Sequence, residues 1–172
     1  SEVYQTQVKP DAILDRERQI RSTFDVLELS ESQVQKVAQL AAKLDAFCAS
    51  NGLDALAIRC WPEFARDFGV APCAAMSLLQ SEGRILACEG DLEGALTMLT
   101  HKAIGAQTPY LFDFSQVDLE QNFALLWHCG VAPCNLWDRA SKITLDTYFA
   151  GGKGVTAGFV LKPGELSIAR ID

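Results

Sequence analysis

Short apolar runs alternate with segments of helical periodicity along most of the chain. The runs have the length and composition of buried strands and lie at residues 53–60, 84–88, 109–114 and 124–128. Helical spacing of apolar or charged residues is found at residues 12–24, 34–47, 73–80 and 92–104. Strands and helices in alternation predict an α/β fold, with an open parallel sheet, right-handed crossovers and flanking helices.

Polar residues at the helix starts support these boundaries. Ser30 with Gln33, or Ser32 with Gln35, has the spacing of a capping box ahead of the helix at 34–47. Two other helices each follow an aspartate that suits the N-cap position, Asp11 and Asp91. A short strand is also predicted at residues 26–29.

The last part of the chain has a different pattern. Residues 155–161 and 165–171 are strand-like and flank Lys162-Pro163-Gly164, which has the composition of a hairpin turn. The sequence therefore predicts an antiparallel β hairpin tail after the parallel sheet. This tail belongs to another layer or begins a second domain.

Composition limits the classes of function. A chain of 172 residues with 49% hydrophobic residues can bury a core of one domain, or of one domain and part of another. The net charge of −7 and the absence of a basic patch disfavour nucleic acid and anionic membrane as partners. No apolar run reaches the roughly 18 residues of a membrane span.

Most of the six cysteines lie within apolar runs. A chain of this size does not need disulfides for stability, so buried free thiols in a reducing cytosol are expected. Cys129 and Cys134 have a spacing that is weak as a zinc motif, because no second close pair accompanies them.

Two acids and a histidine end three of the predicted strands: Glu89, Asp113 and His128. Ligands bind where the strands of an open parallel sheet end, and carboxylates and imidazole are ligands of divalent cations. A pair of acids can also move a proton between substrate atoms. Two structural alternatives remain open: Glu89 decorates a helix N-terminus, and His128 is a hydrogen-bonded structural residue.

Three further side chains are candidates for substrate contacts. Trp61 can stack on a sugar face and Glu63 can bind a hydroxyl; the structural alternative is that Trp61 is a buried aromatic residue next to the turn at Pro62. Asn122 can orient a carboxylate or cap a turn, and its position does not decide between the two.

Several motifs together resemble the L-fucose isomerase family, which is related to the L-arabinose isomerases. The resemblance covers roughly residues 55–137 and rests chiefly on Cys60-Trp61-Pro62-Glu63, Cys88-Glu89-Gly90-Asp91 and Trp127-His128-Cys129-Gly130. Shorter matches are Gly69-Val70-Ala71-Pro72-Cys73 and Gly94-Ala95-Leu96-Thr97-Met98-Leu99.

The resemblance implies a metal-dependent aldose–ketose isomerase that acts on a monosaccharide through an enediol, usually with manganese. It assigns Glu89 and Asp113 as catalytic acids and metal ligands. The metal-binding histidine is then His128, as in the arabinose enzymes, or a residue beyond Asp172, as in the fucose enzymes. Trp61, Glu63 and Asn122 are the expected substrate-binding residues, and a cytoplasmic homo-oligomer is the expected form.

Members of that family are longer than this chain. The resemblance therefore implies an α/β domain at residues 1–112 and, at 113–172, the last strands and the start of a β-rich domain. Such a partial chain is expected to fold and to lack activity by itself. The alternative to an enzyme is a non-catalytic sugar-binding module, or a structural or assembly module, on the same fold.

Overall fold

The computed structural model describes residues 2–26, 29–149 and 152–171. The α-helices are α1 (Glu2–Gln5), α2 (Pro10–Thr23), α3 (Glu31–Ser50), α4 (Cys73–Ser81) and α5 (Leu92–Ala103). A π-helical turn lies at Phe64–Phe68 and a 3₁₀ turn at Cys134–Leu136. The strands are β1 (Asp25–Val26), β2 (Ala55–Ala57), β3 (Ile85–Ala87), β4 (Asp113–Asp118), β5 (Phe123–Trp127), β6 (Thr144–Phe149) and β7 (Gly154–Gly158).

The long helix α3 begins at a capping box. The Ser30 hydroxyl accepts a hydrogen bond from the Gln33 backbone N–H at 3.3 Å, and the Ser30 N–H donates to the Gln33 side chain at 2.9 Å. These bonds satisfy two backbone donors that a helix start leaves unpaired. The first of the two predicted capping pairs is confirmed. Asp11 as a cap is wrong, because α2 already begins at Pro10, which suits a first helical turn, and has Lys9 at its N-cap.

Strands β2 and β3 form a parallel pair, in which Ala55 faces Ile85 and Ala57 faces Ala87. Helix α5 packs on both strands, and Ile85, Ala87, Ala95 and Met98 form a small buried cluster there. The predicted strand–helix–strand pattern and its parallel pairing are confirmed, although each strand is shorter than predicted.

The next two predicted strands, at 109–114 and 124–128, do not extend this parallel sheet. Strands β4 and β5 pair with each other in an antiparallel hairpin, with Asp118 opposite Phe123. The Asp118 carboxylate accepts hydrogen bonds from the backbone N–H groups of Glu120 and Gln121, at 3.0 and 2.8 Å. An aspartate turn of this kind reverses the chain within a few residues, which is too short a connection for a parallel crossover.

The predicted antiparallel pairing late in the chain is confirmed, but the predicted strands are wrong, because the pair lies one strand earlier. Strand β6 pairs with β7, and β1 adds to β6 in parallel. Residues 162–171 form no strand, which agrees with the missing amide of Pro163. The predicted strand at 26–29 is observed at Asp25–Val26, while Leu27 and Glu28 lie outside the described residues.

The main core lies between α3, α4 and the β6–β7 pair. Its fully buried side chains include Leu40, Leu44, Leu79, Leu145 and Val155. Residues on both sides of position 112 therefore contribute to one core, and the division at 112–113 stays a prediction. No helix in the described part of the chain is long and apolar enough to cross a membrane.

Asp91 caps α5 and also binds the C-terminal segment. Its carboxylate accepts a hydrogen bond from the Gly94 N–H at 2.8 Å and pairs with Arg170. Arg170 and then this backbone N–H hold the pKa of Asp91 below its usual range. We expect Asp91→Ala to reduce the free energy of unfolding at neutral pH by about 1–2 kcal/mol, as for the loss of other N-caps.

The effect of Asp91→Ala should depend on pH in one direction. A lowered pKa means that the carboxylate stabilises the fold above its unfolded pKa of about 4, and that this contribution disappears as the pH falls through the folded pKa. Urea unfolding at neutral and acidic pH measures the difference. Asp11→Ala is the control, since Asp11 lies in the first turn of α2 without capping it. Equal losses in both variants would contradict the assignment.

Candidate active site

A cavity of about 420 Å³ opens where the loops after β2 and β3 meet. The loops are held side by side by two backbone bonds: Ile58 N–H donates to Ala87 O at 2.8 Å, and Gly90 N–H donates to Ile58 O at 2.9 Å. Side chains at the carboxyl ends of two parallel strands therefore share one pocket. Of the three predicted strand-end residues, Glu89 lines it, and Asp113 and His128 do not. The cavity is lined by Arg59, Cys60, Trp61, Ala71, Cys73, Glu89, Trp127 and Cys129.

Glu89 lines this cavity, and its backbone conformation is unusual. Its φ angle is +62°, in the left-handed region that a residue with a Cβ adopts at a cost of about 1–2 kcal/mol. Asp91, rather than Glu89, caps α5. A favourable charge of Glu89 near the start of that helix stays the structural alternative. A strained acid that is exposed to a cavity is typical of a functional position.

His128 and Asp113 come together through the β4–β5 hairpin. Asp113 is the cross-strand partner of Trp127, the residue before His128. His128 is only 8% exposed, and this burial lowers its pKa, but the contact with the Cys129 sulfur and the negative charges of Asp113 and Glu89 outweigh it. The net pKa of His128 is raised. Both predicted acids therefore act electrostatically on the predicted histidine ligand.

The tightest group of possible metal ligands has a different membership. Among the described residues, Cys88, His128 and Cys129 offer ligand atoms that all lie within 4.8 Å of one another. The carboxylates of Glu89 and Asp113 lie outside this group. The thiols were not among the predicted site residues, although Cys88 precedes Glu89 and Cys129 follows His128 directly.

Four thiols meet beside the cavity. The Cys88 thiol donates to the Cys60 sulfur at 3.0 Å, and the sulfurs of Cys73 and Cys129 are 3.9 Å apart. All six cysteines are free, and among these four Cys129 is the least buried. Hydrogen bonds from Cys73 and Cys88, with a further contribution from His128, outweigh burial and lower the pKa of Cys129 far below its ordinary value.

Gly130 turns the chain directly behind these residues. Its φ angle is +70°, its N–H donates to the His128 carbonyl at 2.9 Å, and its carbonyl accepts from the Ala157 N–H at 3.0 Å. Farther along, the buried Gln80 side chain donates to the Val131 carbonyl at 2.9 Å. The loop that carries His128 is thus fixed to both β7 and α4.

The three predicted substrate-binding residues do not line the same cavity. Trp61 lines the cavity and is 49% exposed. Glu63 lines a separate cavity and pairs with Arg59 at 3.3 Å; its second carboxylate oxygen is buried without a hydrogen-bond partner in the described structure. Asn122 lies in the β4–β5 turn with φ +55° and does not line the first cavity. The turn accounts for Asn122, and its role in substrate binding stays a prediction.

The fold and this pocket define an α/β protein whose cavity, at the ends of parallel strands, is lined by the acid Glu89 and by Cys129, the neighbour of the buried His128. No protein-family model matches the chain. Over 146 residues it is 34% identical to the sulfoquinovose isomerase of Priestia megaterium and 36% identical to that of Alkalicoccus urumqiensis. Each alignment covers 84% of this chain and 33% of the relative.

A shorter stretch of 92 residues is 34% identical to the sulfoquinovose isomerase of a Clostridium species. The chain thus spans about a third of the length of the first two relatives. These similarities relate the chain to sugar isomerases, as the sequence predicted at this general level. The L-fucose isomerase family itself stays a prediction.

Proposed function

We propose that the chain forms part of an aldose–ketose isomerase, with sulfoquinovose as the first candidate substrate. The observation that carries this proposal is the similarity to sulfoquinovose isomerases over 84% of the chain. The cavity agrees with it, because Glu89 faces a space of about 420 Å³, which is large enough for a monosaccharide.

Glu89, Asp113 and His128 would hold a divalent cation, with Mn²⁺ as the first candidate. Two carboxylates and an imidazole are a suitable ligand set for this ion. The influence of both acids on the pKa of His128 supports a common site. A bound divalent cation would polarise the carbonyl oxygen of the sugar and lower the cost of an enediol.

The protein's own groups have separate tasks in this proposal. Glu89 and Asp113 take a proton from one carbon of the sugar and return it to the adjacent carbon. Trp61 and Trp127 supply apolar walls that stack on the sugar and exclude water. Arg59 is the basic residue of the cavity lining, and its guanidinium would pair with the sulfonate of sulfoquinovose.

The proposal also includes the oligomeric state and the cellular location of the protein. The β4–β5 hairpin exposes large apolar side chains, among them Phe114, Leu125 and Trp127, which are about half exposed. Such a surface suits contact with another subunit or domain, so we propose a homo-oligomer. Free cysteines suit a reducing compartment, in agreement with a cytoplasmic location.

The direct test is an isomerisation assay in D₂O on a protein that contains this chain at the length of its relatives. With Mn²⁺, NMR should show sulfoquinovose converted to its ketose isomer, with deuterium entering at the carbon that exchanges its proton. Glucose, which lacks the sulfonate, should react more slowly. A sugar-binding module would bind the sugar without turnover, and a purely structural module would respond to neither sugar nor metal; either result would refute the proposal.

A further inference from the structure

We propose that Cys88, His128 and Cys129, with Cys73 as the fourth ligand, form a site for a thiophilic divalent cation, with Zn²⁺ as the first candidate. This site is separate from the carboxylates of Glu89 and Asp113. It goes beyond the proposed isomerase function and does not depend on it.

The distances fit a site of three ligands, to which Cys73 is joined through Cys129. The three ligand atoms of Cys88, His128 and Cys129 lie within 4.8 Å of one another. Two sulfurs bound to one zinc at about 2.3 Å are about 3.8 Å apart in a tetrahedral arrangement. The sulfurs of Cys73 and Cys129 are 3.9 Å apart, so both can bind one ion with little movement.

The chemistry of the group selects a soft cation. Thiolate sulfur prefers Zn²⁺ to the hard Mn²⁺, and imidazole accepts either ion. The Cys60 sulfur lies 3.0 Å from that of Cys88, which is too close for both to bind one zinc. Once Cys88 binds the metal as a thiolate, the Cys60 thiol would donate the hydrogen bond to it, as outer partners of metal ligands commonly do.

The ligands differ in burial, and the least buried of the thiols faces the cavity. Cys73 and Cys88 are each 1% exposed and His128 is 8% exposed, which protects bound metal from solvent. Cys129 is less buried and, like Cys73, lines the cavity, so a cation would enter through the pocket. Because His128 belongs to both ligand sets, Zn²⁺ at the thiols would withdraw it from Glu89 and Asp113. This expected competition between the two metal sites for His128 is the part of the inference that rests on the proposed function.

Cobalt substitution tests the site, because Co²⁺ bound to thiolate has an intense charge-transfer absorption. The chain is prepared reduced and metal-free, titrated with Co²⁺ and then with Zn²⁺. We expect one equivalent to produce the absorption and Zn²⁺ to abolish it. Cys129→Ser should weaken Co²⁺ binding at least about tenfold. Cys48→Ser is the matched control, since Cys48 is a buried free thiol that is not part of the ligand group.

Absence of the absorption in the unaltered chain, or its persistence at full strength in Cys129→Ser, would overturn the proposal. Alkylation of the unaltered chain gives a second measurement that needs no variant to fold. Zn²⁺ should protect Cys129, the least buried of the thiol ligands, from iodoacetamide, and equal modification of Cys129 with and without Zn²⁺ would overturn the site.

Glu89→Gln separates this inference from the isomerase proposal. This variant should retain the cobalt–thiolate absorption even where the response to Mn²⁺ is lost. If Glu89→Gln lost both the cobalt–thiolate absorption and the response to Mn²⁺, the thiols and the carboxylates would not form two separate sites.

Discussion

Glu89→Gln is expected to reduce isomerase turnover by about 10²- to 10⁴-fold, the usual contribution of a positioned general acid or base. Glutamine keeps the shape of the side chain but cannot accept the proton and is a poorer metal ligand. Glu89 is exposed and outside the core, so the fold should be unaffected. The isomerisation assay in D₂O with saturating Mn²⁺ measures the change.

Glu93→Gln is the matched control, since Glu93 is an exposed acid in the first turn of α5. We expect it to keep full activity. If Glu89 acts only in binding, its replacement would raise KM and leave kcat unchanged. That outcome would exclude proton transfer by Glu89.

Gly130→Ala is expected to reduce the free energy of unfolding by about 2–5 kcal/mol. A Cβ at this position would lie 2.4 Å from the Cβ of Thr156 and 3.0 Å from the Ala157 carbonyl oxygen. Overpacking of this kind costs about 1–3 kcal/mol, and the left-handed backbone adds about 1–2 kcal/mol for a residue with a Cβ. Urea denaturation of the chain measures the loss.

Gly105→Ala separates the two costs. Gly105 also has a positive φ, of +103°, but nothing lies within 4 Å of an added Cβ. Gly105→Ala should therefore reduce the free energy of unfolding only by the backbone contribution, about 1–2 kcal/mol. Equal losses in the two variants would show that the contact with Thr156 does not restrict the loop. The Gly130 variant should also weaken metal binding, because Gly130 fixes the turn behind His128.

The parts of the fold that depend on neighbouring residues could be predicted from the sequence. The Ser30 cap, the Asp91 cap and the parallel β2–β3 pair each follow from residues close together in the chain. The strands with which the later strands pair could not be predicted in this way. An apolar run such as 124–128 suits either a parallel or an antiparallel sheet, and the choice depends on the turn at Asp118.

The candidate site, too, could be predicted only in part from the sequence. Glu89 and His128 could be selected because each follows an apolar run directly. The thiol group could not, because Cys60 and Cys88 are 28 positions apart and Cys73 and Cys129 are 56 apart. Only the fold brings such distant residues together, and the spacing of Cys129 and Cys134 pointed to a different pair.

The melting temperature of this chain against Mn²⁺ concentration tests most directly whether Glu89 and Asp113 form a metal site. A ligand that binds only the folded state stabilises it by about 2.7 kcal/mol at 100 times its dissociation constant, or about 5–10 °C for a chain of this size. We predict a saturable rise that is lost in Glu89→Gln and Asp113→Asn and kept in Glu93→Gln. No rise, or the same rise in all four proteins, would contradict a metal site at these acids.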